Sequence, residues 1–386
     1  MIPYSRQSID NSDINGVKRI LKSNFLTQGP EVTKFENKIC DYVGSKYAIT
    51  TNSATSALHI ACMAIGVKKN DIVWTSPNSF VASANCAEYC GANVDFIDID
   101  LETFSISFEK FKEKISITKR NKLPKVLIDV NFGGLSLDRK KKYELAKKYG
   151  IKIIEDSSHC IGSSNEFEKV GSCKWSDINI FSFHPVKIIT TGEGGLATTN
   201  SSLYAKRLKL FREHGISSKS RSFWSYSQKE LGYNYRMNEI SASLGISQLK
   251  KVNKFVKERN KIADYYKKIF SKNNKFKFQK IPNSILSSYH LFVVLVPNKR
   301  DELFKKLRKK NFFVQLHYIP IYRHSYYKKK YNYKFSNFPN TEIYFKRALS
   351  IPNYPGLEIK KIREIIKIIT SFYGKYKKNS RRIISF

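Results

Sequence analysis

The sequence predicts an α/β protein: a large domain with a mainly parallel sheet, followed by a smaller α+β domain. Three observations predict it. From residue 50 to about 200, short apolar runs alternate with segments patterned as helices. Beyond residue 238 the alternation gives way to a long helical stretch and then to more widely spaced strands and helices. At 386 residues the chain also exceeds one small core, and we divide it at 1–245 and 246–386.

The elements follow in order. "TNSATSALHI" (51–60) is where a strand gives way to a helix. "DIVWTS" (71–76), "NVDFIDI" (93–99), "KVLIDVN" (125–131), "IKIIED" (151–156) and "INIFSF" (178–183) are strand-length and mostly apolar, as strands covered on both faces are. The segments 54–66, 80–91 and 138–150 have helical spacing and stop at Gly66, Gly91 and Gly150. Glycine accepts the left-handed turn just past a helix end at little steric cost. Strands alternating with helices make a parallel sheet, whose ligands gather at the carboxyl ends of the strands. In the second domain, 238–270 reads as one long helix, 289–297 as a strand, 301–311 as a helix and 312–320 as a strand. Two terminal helices are expected near 341–349 and 357–374.

Composition removes several classes. An apolar fraction of 41% with 13% aromatics suits a packed globule rather than a disordered chain. Cys40, Cys62, Cys86, Cys90, Cys160 and Cys173 form no CxxC pair, which argues against a zinc site and for a reducing cytoplasm. "MIPYSRQSID" lacks the apolar core of a signal peptide, and "LFVVLVP" is strand-length, so no membrane segment is expected. Lys and Arg number 69 against 32 Asp and Glu, a net charge of +37. A basic polyanion-binding protein is one reading of that excess. The charge is spread over the whole chain in short clusters, however, and Lys, Asn and Ile are abundant together. A solvated basic surface, able to attract a small anion, is the simpler reading, and no nucleic-acid partner is expected.

Four segments carry residues fit for chemistry. In 51–60, free N–H groups at the helix start near Ala54 and Thr55, with the hydroxyls of Thr55 and Ser56, suit a phosphate. An ordinary helix cap explains the same residues equally well. "IIEDSSHCIG" (153–162) puts Asp156 at the carboxyl end of a strand with His159 three residues on. The histidine is either packed or a ligand, but metal-ligand spacing is missing. In "FSFHPVKIITTGEGG" (181–195), Ser182 and Lys187 stand among apolar residues and glycines. Such surroundings disfavour an ammonium, and a neutral amine is a nucleophile. "LGYNYRMNEISA" (231–242) brings Asn234 and Arg236 just ahead of the long helix. Phosphate donors, a carboxylate and a desolvated lysine together meet the needs of pyridoxal 5′-phosphate (PLP): a Schiff-base lysine, a partner for the ring nitrogen, a phosphate cradle and a stacking surface. Phe80 suits the stacking role, though core packing alone also accounts for it.

The blocks "NSATSALH", "EDSSH" and "FSFHPVKIITTGEGG" resemble the signatures of the DegT/DnrJ/EryC1/StrS sugar aminotransferases, a family of the aspartate-aminotransferase fold type I. The resemblance runs from "LTQGPEVTKFE" (26–36) through "HYIPIY" (317–322) to "RALSIPNYPGL" (347–357). "PNSFVASAN", "NYRMNEI" and "HYIPIY" point to the subgroup serving pseudaminic acid synthesis. The resemblance implies that Lys187 forms the Schiff base and shuttles the proton, with pyridoxamine phosphate as the alternate cofactor form. It places Asp156 on the pyridine nitrogen and His159 beside the ring, where many relatives carry glutamine. Ser182, Ala54, Thr55 and Ser56 hold the phosphate. Asn234 reaches the phosphate of a neighbouring subunit, which implies a homodimer with shared active sites. Tyr4, the run Asn24, Phe25, Leu26 and Thr27, and the run Leu316, His317, Tyr318 and Ile319 shape a pocket for a UDP-linked keto-sugar, with L-glutamate as donor. Relatives that replace the lysine with histidine are dehydratases; this chain keeps Lys187. Another keto-sugar, of the perosamine type or aminated at C3, is the nearest alternative.

Overall fold

The computed structural model describes residues 1–165, 167–217 and 224–374. Its centre is a seven-stranded sheet built from β1 (Tyr47–Thr51), β2 (Ile72–Thr75), β3 (Asn93–Phe96), β4 (Val126–Val130), β5 (Lys152–Asp156), β6 (Ile178–Ser182) and β7 (Gly195–Thr199). The spatial order is β1-β7-β6-β5-β4-β2-β3. All strands run parallel except β7, which lies antiparallel to both β1 and β6. Register puts Val130 beside Asp156 and Asp156 beside Ile180. Gly195 pairs with Thr51 on one side and Ser182 on the other.

The period of two along each strand decides which layer a residue joins. In β5, Ile154 faces the core made with helices α3 (Ala54–Ile65), α4 (Ala82–Tyr89) and α7 (Ser202–Arg212). Ile153 turns to the opposite face, under α5 (Phe108–Ile117) and α6 (Arg139–Lys148). In β6, Ile180 joins the first core, while Phe181 packs with Phe35 and Ile39 of α2 (Pro30–Val43) and with Ala242 of α8 (Glu239–Leu249). The C-terminal core wraps a three-stranded antiparallel sheet, β8 (Lys277–Phe278), β9 (Phe292–Leu295) and β10 (Ala348–Ile351). Around it pack α9 (Val252–Phe270), α10 (Arg300–Lys309) and the terminal helix Ile359–Phe372.

Four expectations are corrected. The strand expected over 93–99 stops at Phe96, because the Asp95 and Asp98 carboxylates accept the N–H groups of Phe96 (2.7 Å) and Ile99 (2.9 Å). The helix expected over 238–270 is two helices. Between them Lys251 bends back to Asp10 (2.9 Å) and Asp13 (2.5 Å) at the start of the helix Asn11–Leu21. The strand expected over 312–320 shrinks to Phe312–Phe313, paired in parallel with Ile2–Pro3. Beyond it the backbone bonds to the loop after β2: Tyr318 N–H to Asn78 (3.3 Å) and Ile321 N–H to the Pro77 carbonyl (3.0 Å). Finally, β7 was not expected at all. Its "GLATT" is small and polar, yet every residue is buried between two strands. The glycine stops were read correctly: Gly66, Gly91 and Gly150 all take positive φ, at 90°, 72° and 72°.

Candidate active site

A cavity of about 650 Å³ opens at the carboxyl ends of the parallel strands. Each wall is a strand end: Asn52 to Ser56 after β1, Ser79 and Phe80 after β2, Val130 closing β4, Asp156 to His159 at β5, and Ser182 to Lys187 at β6. Tyr4, His317 and Tyr318 close it from the other side.

One corner of the cavity is built by the start of α3. Ser53 caps the helix, its hydroxyl accepting from Ser56 N–H (3.1 Å) and its carbonyl from Ala57 N–H (3.1 Å). The N–H groups of Ala54 and Thr55 have no acceptor among the described residues and border the cavity. They carry the positive end of the helix dipole, which favours an anion there. Gly195 makes the approach possible: a Cβ on it would lie 2.3 Å from the Ser53 carbonyl carbon and 2.4 Å from Ala54 N.

Asp156 is held firmly. Ser83 Oγ on α4 donates to one carboxylate oxygen (2.6 Å) and Ser158 Oγ to the other (2.6 Å). Ser79 and Ser83 are linked at 2.7 Å, so the α4 start and the β5 end form one network. Sequence reading missed Ser83: Ser79 lies ahead of α4 and Ser83 inside it, and no local pattern ties either hydroxyl to Asp156, 73 positions beyond Ser83.

Lys187 sits on a turn closed by its own N–H to the His184 carbonyl (2.9 Å). Phe181, Phe183, Ile188 and Ile189 are buried on either side, which pins the chain. The side chain borders the cavity but is otherwise enclosed by protein, and burial pushes its amine down to about 8, against the pull of Asp156 and Cys160. The lysine is thereby matched to proton transfer near neutral pH.

His159 lies behind the cavity floor. Gly133 N–H donates to its Nδ1 (3.2 Å), leaving Nε2 as the protonated nitrogen toward the Tyr318 hydroxyl (3.2 Å). Burial drives its basicity well below the ordinary histidine range, and the charge on Lys187 adds to this. The imidazole is neutral, so it orients neighbours rather than carrying charge. His317 is likewise pushed down, to about 3, chiefly by burial; its ring lies 4.6 Å from that of Tyr4. Phe80 is 57% exposed, an uncovered ring at the cavity wall 6.1 Å from Tyr318. A packed core residue would not be so open, so core packing does not account for Phe80.

The expected residues fall into two groups. Lys187, Asp156, His159, Ala54, Thr55, Ser56, Phe80, Ser182, Tyr4, His317 and Tyr318 line one cavity. Asn234, Asn24, Phe25, Leu26, Thr27, Leu316 and Ile319 lie outside its lining. Leu316 packs into the core with Ile99 and Phe104, and Ile319 is 45% exposed. Asn24 to Thr27 form an exposed loop that meets the other outlying segment: Glu239 N–H donates to the Leu26 carbonyl (3.0 Å). Asn234 is also exposed, and Arg236 lines a separate recess of about 200 Å³ with Gln28 and Gly29. No cluster of three or more His, Cys, Asp or Glu suited to a metal occurs among the described residues.

The residues of the main cavity fit PLP. Ala54 and Thr55 offer unpaired N–H groups for the phosphate, Asp156 an anchored carboxylate for the ring nitrogen, Phe80 an open ring face and Lys187 an enclosed amine.

The sequence profile of the DegT/DnrJ/EryC1/StrS aminotransferase family matches residues 7–370. The chain is 40% identical to the UDP-4-amino-4,6-dideoxy-N-acetyl-beta-L-altrosamine transaminase of Campylobacter jejuni strain 81-176, over 98% of this chain and 99% of that one. It is 31% identical to the GDP-perosamine synthase of Escherichia coli O157:H7, over 97% and 99% of the two chains. Among solved structures it superposes on Helicobacter pylori PseC, an aminotransferase of pseudaminic acid biosynthesis, with a TM-score of 0.88 and 31% identity over 96% of this chain and all of that one. The Streptococcus pneumoniae sugar aminotransferase Spr1654, solved in PLP and PMP forms, gives TM-scores of 0.86 and 0.87 at 25% identity, covering 96% of this chain and 98% of that one. By sequence, fold and cavity the chain belongs to the DegT/DnrJ/EryC1/StrS family, as a PLP-dependent aminotransferase.

Proposed function

We propose that this aminotransferase moves the amino group of L-glutamate to C4 of UDP-2-acetamido-2,6-dideoxy-β-L-arabino-hex-4-ulose. The product is the UDP-linked 4-amino sugar of pseudaminic acid biosynthesis. The observation that carries the substrate is the end-to-end 40% identity to the altrosamine transaminase of Campylobacter jejuni. PLP, when bound, supplies a Schiff-base carbonyl and an electron-withdrawing ring. In our reading the chain does the rest. Ala54, Thr55, Ser56 and Ser182 fix the phosphate, Asp156 holds the ring nitrogen protonated, and Phe80 covers one ring face. Lys187, its amine pushed down by burial to about 8, takes and returns the proton at the reacting carbon. His159 presents Nε2–H and Tyr318 on the far side, while Tyr4 and His317 border the sugar.

The same reading makes the enzyme a cytoplasmic homodimer. Asn234 and the loop Asn24–Thr27 are exposed and lie outside their own chain's cavity, and the loop bonds through the Leu26 carbonyl to Glu239 N–H, five residues after Asn234. We assign them to the partner's active site, Asn234 at the phosphate and the loop at the nucleotide sugar. No helix among the described residues is long and apolar enough to cross a membrane.

The test is an absorbance spectrum of the purified protein before and after L-glutamate, followed by candidate keto-sugars with product analysis by mass spectrometry. A visible band that moves with glutamate, and amination of the UDP-linked 4-keto sugar, are expected; Lys187→Ala loses both. A protein that stays colourless when PLP is supplied overturns the assignment. Preference for a GDP-linked 4-keto sugar would replace it with the perosamine reading, which the 31% identity to that synthase keeps in view.

A further inference from the structure

Behind Lys187 lies a buried cation that the reading above does not use. Arg259, on α9, is wholly buried. Its guanidinium meets no carboxylate among the described residues: it donates to the carbonyls of His290 (3.2 Å) and Asn353 and to Ser5 Oγ (3.1 Å), and its Nε has no partner. A buried arginine normally pairs with an acid, because an isolated charge is expensive to desolvate. This one is retained without that compensation. The Ser5 hydroxyl passes the contact on, donating to the Val186 carbonyl (2.7 Å), one residue before the cofactor lysine. The N-terminal segment is itself tied down, with Asn353 N–H donating to the Tyr4 carbonyl (3.0 Å).

We propose that Arg259 is a positioning residue for Lys187, acting through Ser5 on the Val186 carbonyl to set the turn that carries the amine. The strut joins three parts that chain order keeps far apart: the N-terminal strand, the turn after β6 and the first helix of the C-terminal core. Burial is what lowers the basicity of the amine, so the strut matters by keeping that turn closed over the side chain. Asp156 and Cys160 pull toward the ammonium, while His159, His290 and His317 are all held neutral, mainly by burial and further by the charge on Lys187. His290 lies 4.4 Å from His159, ring to ring, and is also within reach of the Arg259 charge. Tyr4, which lines the cavity, likewise responds to Arg259, although burial dominates and raises it to about 12. Burial pushes Arg259 itself down, to about 9, and its charge reaches Tyr4 and His290.

The inference rests on Lys187 being the cofactor lysine, and the experiment separates the two. In the full chain freed of cofactor, the pH dependence of Lys187 acetylation by acetic anhydride is followed by mass spectrometry of its peptide. Melting temperatures are recorded alongside. Arg259→Met breaks the strut and opens the turn to water, and is expected to raise the midpoint by at least about half a unit from about 8, leaving about twofold less free amine at pH 8. Arg259→Lys keeps the charge but not the two-pronged donor geometry, and is expected to raise the midpoint as well. Ser5→Ala keeps the cation and breaks the strut. Its turnover is expected to fall about fivefold with KM nearly unchanged, the equivalent of one neutral hydrogen bond. A folded Arg259→Met protein with the wild-type midpoint, or a folded Arg259→Lys protein that keeps it, overturns the link from Arg259 to the turn. Wild-type turnover in Ser5→Ala overturns the positioning role, and decides the matter even where Arg259→Met does not fold. A wild-type chain that takes up no PLP would instead sink the reading of Lys187.

Discussion

Gly195→Ala should weaken PLP binding sharply while leaving the fold intact. The new Cβ would lie 2.3 Å from the Ser53 carbonyl carbon and 2.4 Å from both Ser53 O and Ala54 N, all backbone atoms. Reaching even the 3.0 Å limit of real Cβ contacts requires a separation of about 0.7 Å. Strand β7 cannot supply it, because Gly195 is locked in register between Thr51 and Ser182. The start of α3 must move instead, and with it the free N–H groups of Ala54 and Thr55. Gly195 does not occupy the positive-φ region, so the effect is steric rather than conformational. Losing one well-aligned hydrogen bond to a charged phosphate costs about 1.5–3 kcal/mol. That corresponds to a PLP Kd about tenfold to 150-fold weaker. The assay is an absorbance titration of apoprotein with PLP, with thermal melts as control. A folded Gly195→Ala protein whose Kd stays within twofold of wild type refutes the argument that α3 holds the phosphate through its N–H groups.

Two further outcomes follow from buried charge. Lys187 has a folded-state pKa depressed to about 8 from an ordinary 10.5. Below pH 8 both folded and unfolded states carry the proton, and the penalty for a buried ammonium is fully present. Between pH 8 and 10.5 the unfolded chain holds more protons, so this contribution to stability rises with pH. Apoprotein carrying Lys187→Met should therefore melt above wild type at pH 7, with the gap closing by pH 10; a gap independent of pH would show that the amine is not desolvated. The second concerns Lys142, whose side chain is 2% exposed and paired at 2.9 Å with an equally buried Asp129. Lys142→Met strands that carboxylate, whose pKa burial already raises, and should cost about 3–5 kcal/mol in chemical denaturation. Adding Asp129→Asn should recover most of the loss, and an unaltered single variant would contradict this account.

Much of the site was legible because its residues are close in sequence. Asp156 and His159 share one strand end, Ser182 and Lys187 share one turn, and Ala54 to Ser56 share one helix start. Alternating strands and helices place all three at the carboxyl edge of a parallel sheet. The glycine stops were legible for a similar reason, since left-handed backbone is a local demand. What escaped was non-local. "GLATT" shows no strand-like hydrophobicity of its own, and becomes β7 only because β1 and β6 saturate its backbone on both sides. Nor does local sequence tell that Lys251 breaks a helix to reach Asp10 and Asp13, or that Asp98 ends a strand.

The amino-acid sequence by itself determined the fold class and the cofactor and singled out Lys187, since each rests on short-range pattern. Only the tertiary structure decided how that lysine is supported. Ser83 reaches Asp156 across 73 positions, Ser5 reaches Val186 across 181, and Arg259 reaches Ser5 across 254. A hydrogen bond is directional over about 3 Å, so such partners are chosen by packing of distant elements, and no spacing along the chain announces them.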